Sequence, residues 1–146
     1  MKDGLMSGDR WDIPEEWAWS MEVEVRVTDL NYGGHVGNVV FLAYLQEARE
    51  RFLREHGLAE ADVGGGAGLI MTEAHVRYSG EVFLDDRLTV SIAVDHLRRA
   101  RFDFVYRVSA AGGREVARAR TVMAVFDYRA RKLRPIPPEL RALNTP

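Results

Sequence analysis

The chain has 146 residues, 20 Lys and Arg against 22 Asp and Glu, 47% hydrophobic residues and no cysteine. This length and apolar content suffice for one core-bearing domain and exclude disordered, collagen-like and membrane-spanning classes. Without cysteine there is no disulfide framework, thiolate nucleophile, iron–sulfur cluster or Cys-ligated zinc. The near-neutral total hides an asymmetry: residues 1–30 carry three basic and eight acidic side chains, residues 98–134 eleven basic and three acidic. Such a basic segment is either a solvated strand face or a site for an anionic ligand, and a small phosphorylated ligand needs only a few arginines. Nucleic acid is not an expected partner, because the chain is slightly acidic overall and lacks helix-turn-helix, zinc-finger and aromatic RNA-binding signatures. A membrane is not expected either. The charged, Pro-containing start has no continuous apolar segment of the secretory kind, so cytoplasmic residence is the expectation.

In chain order, residues 1–18 mix Gly, Asp, Ser and Pro without a period and read as a loose arm, which Trp11, Trp17 and Trp19 pack against the body. Met21, Val23, Val25 and Val27 then alternate with Glu22, Glu24, Arg26 and Thr28, the pattern of a half-buried strand. Asp29 to Gly37 (DLNYGGHVG) is a Gly- and Asn-rich turn that needs positive φ angles. Asn38 to His56 reads as a helix: Asn38 is a good N-cap, and Phe41, Tyr44, Leu45, Ala48 and Phe52 recur at helical steps. Gly57 stops it. Its first two turns (VVFLAYL) are apolar all round, so it is expected to be wrapped and not laid on a surface.

Beyond the DVGGGAG connection, four segments show strand alternation: Leu69 to Tyr78, Arg87 to Leu97, Arg101 to Ser109 and Arg114 to Tyr128. Ile70, Thr72, Ala74, Val76 and Tyr78 form the expected inner face of the first of these. The last is apolar on both faces, which suggests a central position, and the short turns at Arg98–Ala100 and Ala111–Gly113 make the final three an antiparallel meander. The Pro-rich end stops the sheet and allows at most a short helix. Strand, helix and four strands give an α+β class, with a five-stranded antiparallel sheet curling round one buried helix. Its outer edge would be a long apolar strand, normally paired with another chain, so a homodimer is expected.

The sequence resembles hot-dog-fold acyl-CoA thioesterases, in the branch of 4-hydroxybenzoyl-CoA thioesterase. VEVRVTDL running into NYGGHVGN resembles the family pattern Asp-x-Asp-x-x-Gly-His-Val-Asn-Asn. VVFLAYLQEARERFL resembles the central helix with its Glu-Ala-Arg, EAHVRYSGEVFLDDRLTV the second strand, loop and third strand, and VMAVFDYRARKLRPIP the last strand. The resemblance implies a hot-dog domain over residues 19–138 in β-α-β-β-β-β order, followed by a tail at 139–146. It further implies hydrolysis of an acyl-CoA thioester to free acid and CoA, in a homodimer or homotetramer. No separate cofactor is implied, since coenzyme A arrives as part of the substrate. Position by position, Asp29 falls on the first Asp of the pattern, Asn31 on the second, Gly34 and His35 on the Gly-His, and Asn38 on the last Asn. Many members use the second Asp as nucleophile or general base. Asn31 stands there in this chain, and an amide can neither take a proton from water nor form an acyl anhydride.

Thioester hydrolysis needs a polarised carbonyl and an activated water. The N–H of Asn38, at the start of a buried helix, matches the family's oxyanion donor. For the water, the candidates are Asn31 as positioner, His35 as base or donor, Glu47 on the helix, and Asp29 before the turn. Each has a structural alternative: Asn31 and His35 as turn stabilisers, Asp29 as a loop anchor, and Glu47 as the i,i+4 partner of Arg51. Glu47 lies about 13 Å along the helix from Asn38, so it is expected to reach a site there only from a partner subunit or with substantial chain reversal. The resemblance points to Arg98, Arg99 and Arg101 for the CoA phosphates, with Arg131 and Lys132 as weaker candidates. His56, His75 and His96 are too dispersed for a metal site, and none is expected. The amide at 31 leaves one alternative from another class, a non-hydrolytic acyl-CoA-binding or sensing protein.

Overall fold

The structure is a computed structural model that describes residues 12–144. Trp11 and the rest of the expected arm before residue 12, and the last two residues of the tail, lie outside the described residues. The elements in order are β1 (Trp19–Glu24), α1 (Asn38–Glu55), β2 (Gly68–Tyr78), β3 (Arg87–Asp95), β4 (Arg101–Ser109), β5 (Glu115–Asp127), β6 (Lys132–Leu133) and α2 (Pro138–Arg141). The sheet runs β1-β3-β4-β5-β2 with every neighbour antiparallel, and the two-residue β6 adds to the end of β5 as a sixth strand. Strand β4 therefore holds the centre and β5, expected there, is one place towards the β2 edge. Both are sealed on two faces, which is why composition alone did not separate them.

The core forms where the inner face of the sheet meets α1. Leu88, Val90, Ile92 and Val94 of β3 and Phe102, Phe104, Tyr106 and Val108 of β4 are buried against Phe41, Leu45, Ala48, Phe52 and Leu53 of the helix. Phe52 meets Phe104 edge-on with centroids 6.3 Å apart. Each such side chain removed from water contributes about 1.5–3 kcal/mol. The helix nevertheless buries only one side: Val39 is 77% exposed and Leu42 38%. The expected wrapping of its first turns is thus not supplied by this chain.

Three local departures from the sequence pattern have physical causes. Strand β1 stops at Glu24, and Val27 sits 70% exposed in a single 3-10 turn because the Asp29 carboxylate accepts the Arg26 N–H at 3.0 Å and curls the chain. Gly37, not Asn38, is the N-cap of α1, and Asn38 is the first helical residue. In β2, Met71 pairs with Met123 and Glu73 with Val122, leaving Thr72 as a bulge whose hydroxyl donates to Val122 O at 3.2 Å. The extra residue switches faces, so Leu69 and Met71 share the inner face with Ala74, Val76 and Tyr78, and Ile70 lies on the other one.

Candidate active site

The turn between β1 and α1 is built on its own backbone. Asn31 N–H donates to His35 O at 2.8 Å, Gly34 N–H to Asn31 O at 3.0 Å and Gly37 N–H to Asp29 O at 3.2 Å. Gly34 takes φ +83°, a conformation that a side chain would strain. The Asn31 side chain closes an Asx turn, its Oδ1 accepting the Gly33 N–H at 2.8 Å. Its Nδ2 then lies 3.4 Å from His35 Nδ1, so these two candidates meet at one exposed point.

Asp29 sits beneath that point and anchors it. Its carboxylate is buried and accepts Tyr44 OH at 2.8 Å, Arg26 N–H at 3.0 Å and the Arg26 guanidinium at 3.2 Å, tying the turn to α1. Burial by itself would raise the Asp29 pKa, but these donors outweigh it and hold the carboxyl below its usual range. Burial beside Asp29, together with donation to it, pushes the Tyr44 hydroxyl up. The geometry gives Asp29 the anchoring role.

Helix α1 opens next to the Asn31–His35 pair. No side chain caps it, and Val40 N–H turns back to Gly37 O at 3.0 Å, so the Asn38 N–H sits in an uncapped first turn with the positive helix end behind it. Tyr78 OH donates to Asn38 O at 2.7 Å, fixing the following peptide, Asn38–Val39, from the β2 side. Such a donor can polarise a carbonyl oxygen as negative charge develops on it.

The other candidates are not brought to this point within one chain. Glu47 is paired with Arg51 and lines a groove of about 470 Å³ between α1 and β1, which also includes Arg26 and Tyr44. Arg98, Arg99 and Arg101 sit at the β3–β4 hairpin, at the far end of the nine-residue β3 from the loop that faces the turn, about 30 Å away. Arg98 donates to Asp103 at 3.0 Å, while Arg99 and Arg101 are exposed. Arg131 and Lys132 lie at that same end, Lys132 as the first residue of β6. Among the described residues no group of three or more His, Asp or Glu side chains could hold a metal ion.

The loop joining β2 to β3 supplies groups that the motif reading did not single out. Glu81 Oε2 lies 3.7 Å from His35 Nε2, and Phe83 meets the imidazole edge-on at 6.5 Å. Arg114, from the β4–β5 hairpin, donates to Glu81 O at 3.4 Å. Strand pairing was the available signal: antiparallel order puts the 79–86 loop and the 110–114 hairpin at one end of the sheet.

The Thioesterase-like superfamily profile matches residues 25–143. A 1,4-dihydroxy-2-naphthoyl-CoA hydrolase of Thermosynechococcus vestitus is 32% identical over 120 residues, 81% of this chain and 82% of that protein. The crystal structure of a 1,4-dihydroxy-2-naphthoyl-CoA thioesterase from Synechocystis superposes with a TM-score of 0.78 at 25% identity, covering 85% of this chain and 93% of that one. A Staphylococcus aureus protein solved in complex with CoA shares the fold, with a TM-score of 0.77 at 17% identity over 85% of this chain and 79% of its own.

Proposed function

This chain belongs to the Thioesterase-like superfamily, and from that premise we propose that it hydrolyses an aromatic acyl-CoA at the Asn31–His35 turn. The observation that carries the assignment is the meeting of Asn31, His35 and the uncapped start of α1 at one point. The Asn38 N–H polarises the thioester carbonyl, and Asn31 and His35 orient the attacking water, with His35 taking its proton. An aromatic acyl group is supported by the naphthoyl-CoA relatives and by the Phe41, Tyr78 and Phe83 rings around the turn. Coenzyme A enters and leaves as substrate and product.

A homodimer completes the reading. The exposed Val39, Leu42, Met71, Tyr78, Phe83 and Leu84 and the open edge of β2 are a surface that a second copy would cover. Antiparallel pairing of two β2 edges about a two-fold axis reverses the partner end for end. The partner's β3–β4 hairpin then comes to this chain's site, two to three strand spacings or about 10–15 Å from the shared edge. That arrangement puts Arg98, Arg99 and Arg101 in reach of CoA phosphates across the interface, and two such dimers make a homotetramer. Cytoplasmic action fits an enzyme for a CoA ester, and no described helix is long and apolar enough to cross a membrane.

The test is release of free thiol from a panel of aroyl- and alkanoyl-CoA esters by the purified protein. Turnover that is fastest on aroyl esters is the expected result. Tight CoA binding with no thiol release from any ester would favour a non-hydrolytic binding protein.

A further inference from the structure

We infer that Glu81 is a positioning residue for His35, so that a carboxylate–imidazole pair does in this chain what a carboxylate at position 31 would otherwise do. The inference rests on the thioesterase reading above. It starts from the Asn31 amide. The Gly33 N–H at 2.8 Å demands an acceptor, which fixes Oδ1 on that side and leaves the Nδ2 amino group facing His35 Nδ1 at 3.4 Å. An amide NH2 only donates, so this contact asks Nδ1 for its lone pair; the Val36 carbonyl, 3.5 Å from Nδ1, asks for a proton there instead but is the longer of the two contacts. The neutral imidazole then carries its proton on Nε2. That nitrogen faces the Glu81 carboxylate at 3.7 Å.

The pairing of the two segments is built in. Val36 N–H donates to Val82 O at 2.8 Å, locking the residues that follow His35 and Glu81 to each other, and both valines are buried. Arg114 holds the Glu81 carbonyl, and the Asp86 carboxylate accepts the Phe83 N–H at 2.9 Å, closing the rest of the loop. The Glu81 side chain is itself 67% exposed, so solvent screens the pair in the free protein. A bound acyl-CoA displaces that solvent.

The step balances without any other group. Water attacks the thioester carbon as His35 Nδ1 takes one of its protons, giving a tetrahedral oxyanion held by the Asn38 N–H and an imidazolium facing Glu81. The 3.4 Å Asn31 contact lies at the long limit of hydrogen bonding, so a water beside Nδ2 competes for Nδ1. Collapse breaks the C–S bond, the acid departs, and the CoA thiolate takes the proton back from Nδ1. Glu81 exchanges no proton in the step, holding the tautomer and facing the imidazolium, the logic of a histidine oriented by a carboxylate.

The experiment uses Glu81→Gln, which keeps the shape and removes the charge, and Glu81→Ala. One arm reads the His35 tautomer in the ligand-free protein by long-range 1H–15N correlation; the other reads kcat and KM on the best ester of the panel. We expect the Nε2–H tautomer in the wild type and a mixed population in both variants. We expect kcat to fall by about 10–100-fold with KM little changed, as loss of an outer partner of a histidine typically does. An unchanged tautomer, or kcat within about twofold of wild type in both variants, would overturn the role of Glu81 while leaving a hydrolase in place. Absence of thiol release from the wild type would instead overturn the thioesterase reading, and the tautomer arm would still decide whether the pair exists.

Discussion

At the scale of single residues, Asp29 sets the pH limit of the turn. Its carboxyl is held below the usual range in the folded chain, so its contribution to stability is complete above the unfolded value of about 3.9. That contribution is lost as pH falls through the lowered folded value. Asp29→Asn keeps the shape and removes the charge, and is expected to cost about 1–3 kcal/mol at pH 7, with the difference from wild type shrinking towards pH 2. Urea unfolding at the two pH values reads both numbers. Tyr44→Phe removes one donor from the same carboxylate and is expected to cost about 1 kcal/mol at pH 7. The part of the candidate site that lies within one motif could be listed from the chain alone: Asn31, His35 and Asn38 fall within eight residues, and the turn brings the first two to 3.4 Å of each other. Glu81 was not, because it arrives from a loop 46 positions after His35 through strand pairing that no local motif encodes.

At the scale of elements, α1 is held to the sheet by one buried charge as well as by its apolar face. Arg49, nearly fully buried, donates to Glu60 at 2.9 Å and to Tyr106 OH at 3.3 Å, and Tyr106 OH contacts Thr121 Oγ1 at 2.7 Å. Burial pushes the Tyr106 hydroxyl up to about 12, so it is a neutral donor and acceptor across the working range. Arg49→Ala would leave Glu60 without its cation and Tyr106 without its donor, at an expected cost of about 3–5 kcal/mol in denaturant unfolding. Phe52→Ala, which opens a cavity beside Phe104 and Trp19, is expected to cost a similar amount, about 3–5 kcal/mol. Element types and most boundaries could be read from period and turn chemistry, as for α1, which runs to Glu55 with Gly57 at φ +72° beyond it. The inner face of β2 could not, since alternation carries no mark of a bulge and Thr72 reads like any strand threonine. The true centre of the sheet was hidden for a related reason, because β4 and β5 are both covered on two sides.

At the scale of the whole molecule, the chain is a hot-dog-fold thioesterase whose single copy leaves its helix start and the β2 edge of its sheet open. Val39→Asp probes that surface, since the residue is 77% exposed in one chain and an acid in the first helical turn is favourable there. A dimer or tetramer is expected for the wild type by sedimentation equilibrium, and a shift to monomer without loss of helical signal for the variant. Within the proposed assembly, the proposed mechanism rests on the imidazole at the turn and not on the carboxylate on the helix. The most direct measurement is kcat for the wild type, His35→Ala and Glu47→Gln on one acyl-CoA ester, followed by thiol release. Loss of a general base is expected to lower kcat by about 100-fold or more in His35→Ala, with Glu47→Gln within about threefold of wild type. The opposite order, a large loss in Glu47→Gln with His35→Ala near wild type, would contradict the assignment.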